Sequence, residues 1–399
     1  MKLTAKHTAR ACYLGLGTQA VTNNLPPLLF LAFHNQFGVS LEKIGLLISI
    51  NFVVQMIVDT LGSLIADRLG ARRAMIFAHL CGAAGLALLA FLPYIVEPFL
   101  GLTLAVTISA IGGGLIEVLD SPIMDSLPGD EKAKAMSLLH SFYCWGHVAV
   151  VLLSTAYFSA FGIRAWRWLA LAWTLVPLTG AALFAVVPLS HFDTMSQHVP
   201  ARALLKNRVF WLFLVLMICS GASEQSISQW SSLFAEAGLG VGKTLGDLLG
   251  PCMFAVLMGA SRLLYGVIGE KIDVRRGLFL SSLLCIVSYL LAILSPWPLL
   301  ALAGCALAGF SVGLMWPGTI SLAAPAIPSG GTLLYSLLAL GGDVGCAAGP
   351  GLVGLISGRI AASGGTSEAG LKAGLAFGLI FPILLALGCL TLKRKRLNT

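Results

Sequence analysis

The sequence predicts an all-α polytopic membrane protein, with twelve transmembrane helices in two pseudo-symmetric six-helix bundles. Three observations predict it. Of 399 residues, 57% are hydrophobic and 11% charged, with a mean hydropathy of +0.91, whereas a soluble domain is about 25% charged. The apolar residues gather in runs of about 20, the length that crosses a bilayer. A short charged pattern also recurs half a chain apart. A soluble enzyme, a nucleic-acid binder and a disordered chain are poor readings, because no interior of this size hides so much apolar surface. A barrel would alternate with period two, and these runs do not.

The runs follow from their borders in chain order. Span 1, 11–34, follows Lys2, Lys6 and Arg10 and carries the polar stretch Gln19 to Asn24 before Pro26 and Pro27. Spans 2 (41–66) and 3 (73–93) flank the charged turn Asp67 to Arg73. Span 4, 98–125, opens on Pro98 and stops before Pro128 and Gly129. Span 5, 133–161, follows Lys132 and ends at Gly162; span 6, 166–187, ends at Pro188. The polar loop 188–208 then divides an N-terminal bundle, 1–187, from a C-terminal bundle, 209–399. There, span 7 (209–236) ends near Gly238, span 8 (245–270) stops at Lys271, and span 9 (276–294) stops before Pro296. Span 10 (298–324) lies between Pro298 and Pro325, span 11 is 331–360, and span 12 (370–391) precedes Lys393 to Arg396.

The net charge of +8 belongs to topology, not to nucleic acid. Putting the N-terminus inside places 18 of the 25 Lys and Arg on inner segments, 6 on outer ones, and Arg262 within a span. That bias predicts both termini in the cytoplasm, in the cell membrane. The basic start followed by apolar residues imitates a signal peptide, but its polar core and lack of a small-residue cleavage site mark an uncleaved first helix. The nine cysteines are scattered singly with no CxxC pair, so neither a disulfide framework nor a metal site is expected.

Asp67-Arg68-Leu69-Gly70-Ala71-Arg72-Arg73 recurs as Glu270-Lys271-Ile272-Asp273-Val274-Arg275-Arg276, 203 residues later. Such an offset marks an internal duplication. Together with Gly62 to Ala66, the first copy resembles the signature loop between helices 2 and 3 of the major facilitator superfamily. With twelve spans and a central loop, the resemblance covers the whole chain. It implies the major facilitator fold, a carrier working by alternating access, usually as a monomer, and a central cavity lined by helices 1, 4, 7 and 10. It also implies that Asp67 and Arg72 act in gating, with Asp125 as a partner for the loop. Within the superfamily, Gly112 to Pro122, Leu127 to Glu131 and Ser137 to Phe142 resemble the fucose/galactose/glucose:proton symporters. Glu117 and Pro122 match that family's spacing on helix 4. The chain departs from it on span 1, where Asn23 and Asn24 stand without a carboxylate.

Independently of family, a charge at mid-bilayer costs about 2.5–3.5 kcal/mol on the lenient insertion scale. Asp59, Glu117, Asp120, Glu224 and Asp343 all fall within apolar runs; they should face water, be protonated or be paired. Glu117 and Asp120, three apart, are expected on one face as proton-coupling groups, alongside His140; the bland reading of Asp120 is a contact to a neighbouring helix. Asn23, Asn24, Glu117, Tyr143, Glu224, Gln225, Gln229, Trp230 and Trp316 are the expected substrate contacts, since amides and indoles hydrogen-bond hydroxyls and rings stack on sugars. The competing reading is that the amides glue helices together. Asp59 and Arg262 occupy equivalent places in the repeat, so with Asp343 they are expected as gate ion pairs or a static buried pair.

No cofactor is expected beyond protons as the coupling ion. The reading is a secondary transporter of a small polar solute, sugar or sugar-like, in symport with protons, with the lipid bilayer as its other partner. A proton-driven exporter of an amphipathic compound and a non-transporting receptor are the alternatives. Gly309 to Gly313 spells a nucleophile elbow, but inside an apolar span. Gly238 to Thr244 imitates a phosphate loop one residue short.

Overall fold

The computed structural model describes residues 3–128, 132–189, 204–268 and 273–392. The fold is entirely helical over these. Its helices are α1 (Ala5–Asn24, continued by the 3-10 turn Pro26–Leu29 and Phe30–Phe37), α2 (Leu41–Leu69), α3 (Ala71–Phe91), α4 (Pro98–Ser126), α5 (Lys132–Phe161) and α6 (Trp166–Trp173 with Leu175–Val186). The second half has α7 (Arg208–Ser228, continued by Ser231–Leu233 and Phe234–Gly238), α8 (Lys243–Asp247, a π-turn Leu248–Cys252, then Met253–Ile268) and α9 (Val274–Leu294). It closes with α10 (Pro298–Val312 with Met315–Ala326), α11 (Gly331–Ala362) and α12 (Ser367–Gly378 with Ile380–Thr391).

Among the described residues, eleven helices are long and apolar enough to cross a membrane. The exception is α1. Its Lys6, Arg10 and the run Gln19 to Asn24 lower its hydropathy, yet it packs lengthwise against α4, α5 and α6 as the twelfth member of the bundle. Leu153, Leu294, Val267 and Trp168 stay 59–77% exposed on the outer surface. That is the pattern expected where lipid replaces water.

Packing repeats between halves. Helix α2 lies on α4, α3 on α4 and α3 on α6; correspondingly α8 lies on α10, α9 on α10 and α9 on α12. The sequence repeat has a structural purpose here. Gly70 adopts φ +76°, a conformation that costs glycine little, and turns the chain sharply from α2 into α3. Two residues on, Arg72 donates to the carbonyls of Phe184, Ala185 and Val187. These are the open acceptors at the end of α6. Arg275, its repeat equivalent, donates to Cys389 and Leu390 at the end of α12. Each guanidinium therefore ties the third helix of a bundle to the sixth. Charged hydrogen bonds of this kind contribute about 1.5–3 kcal/mol. Arg275→Ala and Arg72→Ala are expected to lower the melting temperature by similar amounts, as thermal unfolding of the purified protein would show.

The halves meet along two seams. In one, α2 and α11 cross backbone to backbone: a Cβ on Gly45 would lie 2.8 Å from Gly354 Cα, and one on Gly354 would lie 2.6 Å from Gly45 Cα. Ser49 Oγ donates to the Ala347 carbonyl at 2.8 Å. In the other, α5 meets α8 from Ser159–Thr244, at 3.0 Å, to Cys144–Gly259. Both seams run from mid-depth to the face opposite the chain termini, called the far face below.

Candidate functional site

Three of the helices that bound the centre, α1, α7 and α10, are interrupted. Pro26 and Pro27 lack N–H groups, which leaves carbonyls in α1 without their helical donors. Helix α7 is interrupted at Gln229 and Trp230, and α10 at Gly313 and Leu314. Gln229 Nε2 reaches across from α7 and donates to the Asn23 carbonyl at 3.4 Å, the acceptor that Pro27 leaves free.

Around this contact lies a buried layer of amides. Asn23 Oδ1 accepts from Gln55 Nε2 at 2.9 Å and from Asn51 Nδ2 at 3.3 Å. Asn24 Nδ2 donates to the Ala20 carbonyl at 2.9 Å and to Tyr143 Oη at 3.4 Å. On α7, Gln229 Nε2 donates to Gln225 Oε1 at 3.1 Å, and Gln225 Nε2 to Glu224 Oε1 at 3.2 Å. Each of these amides is at most 8% exposed. In this conformation they satisfy one another and close the centre toward the far face. The groups expected to contact substrate are thus engaged in internal hydrogen bonds here.

Below the layer, on the side of the termini, exposed polar side chains mark a chamber. Glu117 is exposed, yet its Oε2 accepts from the buried Gln19 Nε2 at 2.6 Å, and it lies within electrostatic range of Glu224 in the other half. A side chain that is exposed while in reach of both halves faces the space between them. His140 is exposed beside it, with Ser121 Oγ 3.4 Å from its Nε2. Tyr143 and Trp316 are half-buried, the indole of Trp316 lying against Gly342.

Several expectations are corrected. Asp120 does not share the chamber with Glu117. It is fully buried, packed against Gly15 and Cys12 of α1. Three residues turn a helix by about 300°, enough here to carry the side chain from the cavity into the α1–α4 interface. Trp230 is also outside the chamber: it is fully buried, donates to the Pro350 carbonyl at 3.0 Å and packs on Phe30 in the far-face seam. Arg262 does not pair with Asp59. Its Nη2 lies 3.5 Å from Glu224 Oε2 within the C-terminal half. Asp59 instead lies close to Asp343 across the α2–α11 seam. Arg72 directs its guanidinium at carbonyls of α6, as described above. Asp125 stands in the last turn of α4; the side chain of Asp67 lies outside the described residues, as do residues 190–203 of the central loop.

Sequence reading missed Asn51 and Gln55. With Asp59 they form a stripe four residues apart on α2, all facing inward, and that spacing within an apolar run was the available signal. It also missed the cluster around Lys243, whose members are distant from the centre.

Two six-helix bundles around a polar chamber, sealed at one face, define a helical membrane carrier. The chain belongs to the Major Facilitator Superfamily: the sequence model of that family matches residues 12–350. Among curated proteins, none matches this sequence. Among solved structures, the chain is similar to a bacterial homolog of the human lysosomal transporter Spinster in an inward-facing and occupied conformation, with a TM-score of 0.77, 17% identity, and coverage of 98% of this chain and 97% of that one. It is similar also to the nucleoside transporter NupG (D323A mutant), with a TM-score of 0.77 at 13% identity over 97% and 98% of the two chains. A D-xylose–proton symporter aligns with a TM-score of 0.76 at 13% identity over 95% and 96%. At these identities the likeness is one of fold.

Proposed function

We propose that this transporter carries a small polar solute, sugar or sugar-like, in symport with protons, and that Glu117 is the coupling group. One observation carries the reading. Glu117 is a carboxyl on the wall of the chamber, exposed and reachable from the side of the termini, and held by Gln19. Its protonation changes a charge at the point where the two halves face one another. A change in charge there shifts the balance between the two openings. Tyr143, Trp316, His140 and Arg262 supply the ring faces and polar atoms for a solute at the same depth. That a xylose–proton symporter and a nucleoside transporter share the fold supports a polar cargo. The distribution of Lys and Arg supports cytoplasmic termini in the cell membrane, and the architecture supports a monomer.

The test is proton movement in liposomes containing the purified protein and a pH-sensitive dye. Addition of a transported sugar or nucleoside is expected to alkalinise the medium. A solute flux without any proton movement would overturn the coupling. Acidification on solute entry would reverse the direction to exchange.

A further inference from the structure

At the far face, Lys243 at the start of α8 makes a set of contacts that the chamber does not explain. Its ammonium donates to Ser232 Oγ at 2.9 Å and Asp247 Oδ1 at 3.0 Å, and it lies 3.0 Å from Glu236 Oε1. All three partners belong to the C-terminal half. It also donates to the Leu28 carbonyl of the N-terminal half at 2.6 Å, in the 3-10 turn that follows the prolines of α1, and sits over the ring of Phe158 of α5 at 5.7 Å. Around it, Ser232 Oγ donates to Asp247 Oδ1 at 2.6 Å. Two further contacts cross between halves: Thr155 Oγ1 donates to Asp247 Oδ2 at 3.4 Å, and the Ser159 and Thr244 hydroxyls are 3.0 Å apart. Asp247 is fully buried, and the side chains of Lys243 and Glu236 are 16% and 15% exposed.

We propose that Lys243, Glu236 and Asp247 form the latch that holds the far face closed, with the cation as its movable tongue and the Leu28 carbonyl and Phe158 ring as its seat. The division of charge argues for it. Every charge that balances Lys243 stands on its own half, while the N-terminal half offers only a carbonyl, hydroxyls and an aromatic face. A buried ion pair is hard to break because separation strands a charge. Here separation of the halves strands none: the triad travels with α7 and α8, and entering water replaces neutral partners. When the Leu28 carbonyl leaves, the ammonium keeps Ser232 and Asp247 as acceptors and Glu236 as an ion-pair partner, and its third hydrogen is free for water. Such a latch closes firmly and releases without an unpaired charge. It concerns the movement of the halves, so it does not depend on which solute is carried.

The experiment is a spin-label distance measurement on the full chain in lipid nanodiscs, with native cysteines replaced. Nitroxides are placed at Ala160 and Leu245, two exposed positions on opposite halves beside the latch. Lys243→Met is expected to raise the population of a longer distance about ten-fold, the effect of one lost charged hydrogen bond. Lys243→Arg is expected to restore the parental distribution. Because Lys243→Met leaves Glu236 and Asp247 unbalanced, a second variant, Thr155→Val with Ser159→Ala, keeps the triad and removes only cross-half hydrogen bonds made by uncharged side chains. It is expected to shift the distances in the same direction by less, with an unchanged melting temperature. Distributions in both variants that superimpose on the parent would overturn the latch. If Lys243→Met fails to fold, the second variant decides alone, an unchanged distribution being the overturning result.

Discussion

Glu117→Gln is expected to abolish uphill accumulation of solute while leaving downhill exchange intact. Glutamine keeps the volume of the side chain and an oxygen that accepts from Gln19 Nε2, now 2.6 Å away. It removes only the ability to gain and lose a proton. The chamber should therefore keep its shape, and solute should still exchange across it. What disappears is the link to the proton gradient. One pH unit is worth about 1.4 kcal/mol, so one proton per solute sustains about ten-fold accumulation; the variant should lose that factor and settle at equal concentrations. Uptake into liposomes with and without an imposed gradient measures it. Accumulation that still follows the gradient in the variant would remove Glu117 from the coupling role and turn attention to the Asp59–Asp343 contact. Asp59→Asn is the corresponding probe there, since an amide keeps the size of the side chain but carries no titratable charge.

Gly354→Val is expected to stop transport by keeping the far face from closing. A Cβ at residue 354 would meet Gly45 Cα at 2.6 Å, and the Leu41 carbonyl and Trp230 Cζ2 at 2.9 Å each. Two of these three are backbone atoms of α2 and have no rotamer by which to retreat. Overpacking of this sort costs about 1–3 kcal/mol, which shifts a two-state balance by about five- to 150-fold. Two of the three contacts lie between halves and the third is a side chain of the same half, so the melting temperature should change less than when the clash falls on backbone inside one bundle. Gly345→Val makes the contrast. A Cβ there would strike the Ile218 carbonyl inside the C-terminal bundle, so it should lower thermal stability as well. Turnover and melting curves measured side by side on the two variants separate the effects. A Gly354→Val protein that transports normally would show that the α2–α11 contact need not be so close.

The parts legible in advance share a property: they are periodic or local. The bilayer imposes runs of about 20 apolar residues, so the spans stand out wherever charges or prolines border them. Borders read at 41, 98 and 298 coincide with helix starts at Leu41, Pro98 and Pro298. The interruptions at Thr174 and Gly313–Leu314 each lie within one turn before a proline, Pro177 and Pro317, which removes a helical donor, a local signal that the reading of spans passed over. The one at Gln229–Trp230 has no proline after it and falls in the polar stretch Ser223 to Ser232. Glu117 was legible as an anomaly, because an acid inside an apolar run needs a reason.

Sequence alone determined that this chain is a twelve-helix, duplicated membrane protein with acids stranded at mid-depth. That follows from transfer energies, which depend on residue type and spacing and not on neighbours. Only tertiary structure decided what each polar group does. The turn of α4 separates Asp120 from Glu117, the reach of Arg262 assigns it to Glu224, and the meeting of α2 with α11 brings Asp59 to Asp343. Lys243, which looks like a loop charge in the sequence, closes on a carbonyl 215 residues away. Partnership depends on rotation about a helix axis and on contacts between distant segments, and neither is written in the order of residues along one run.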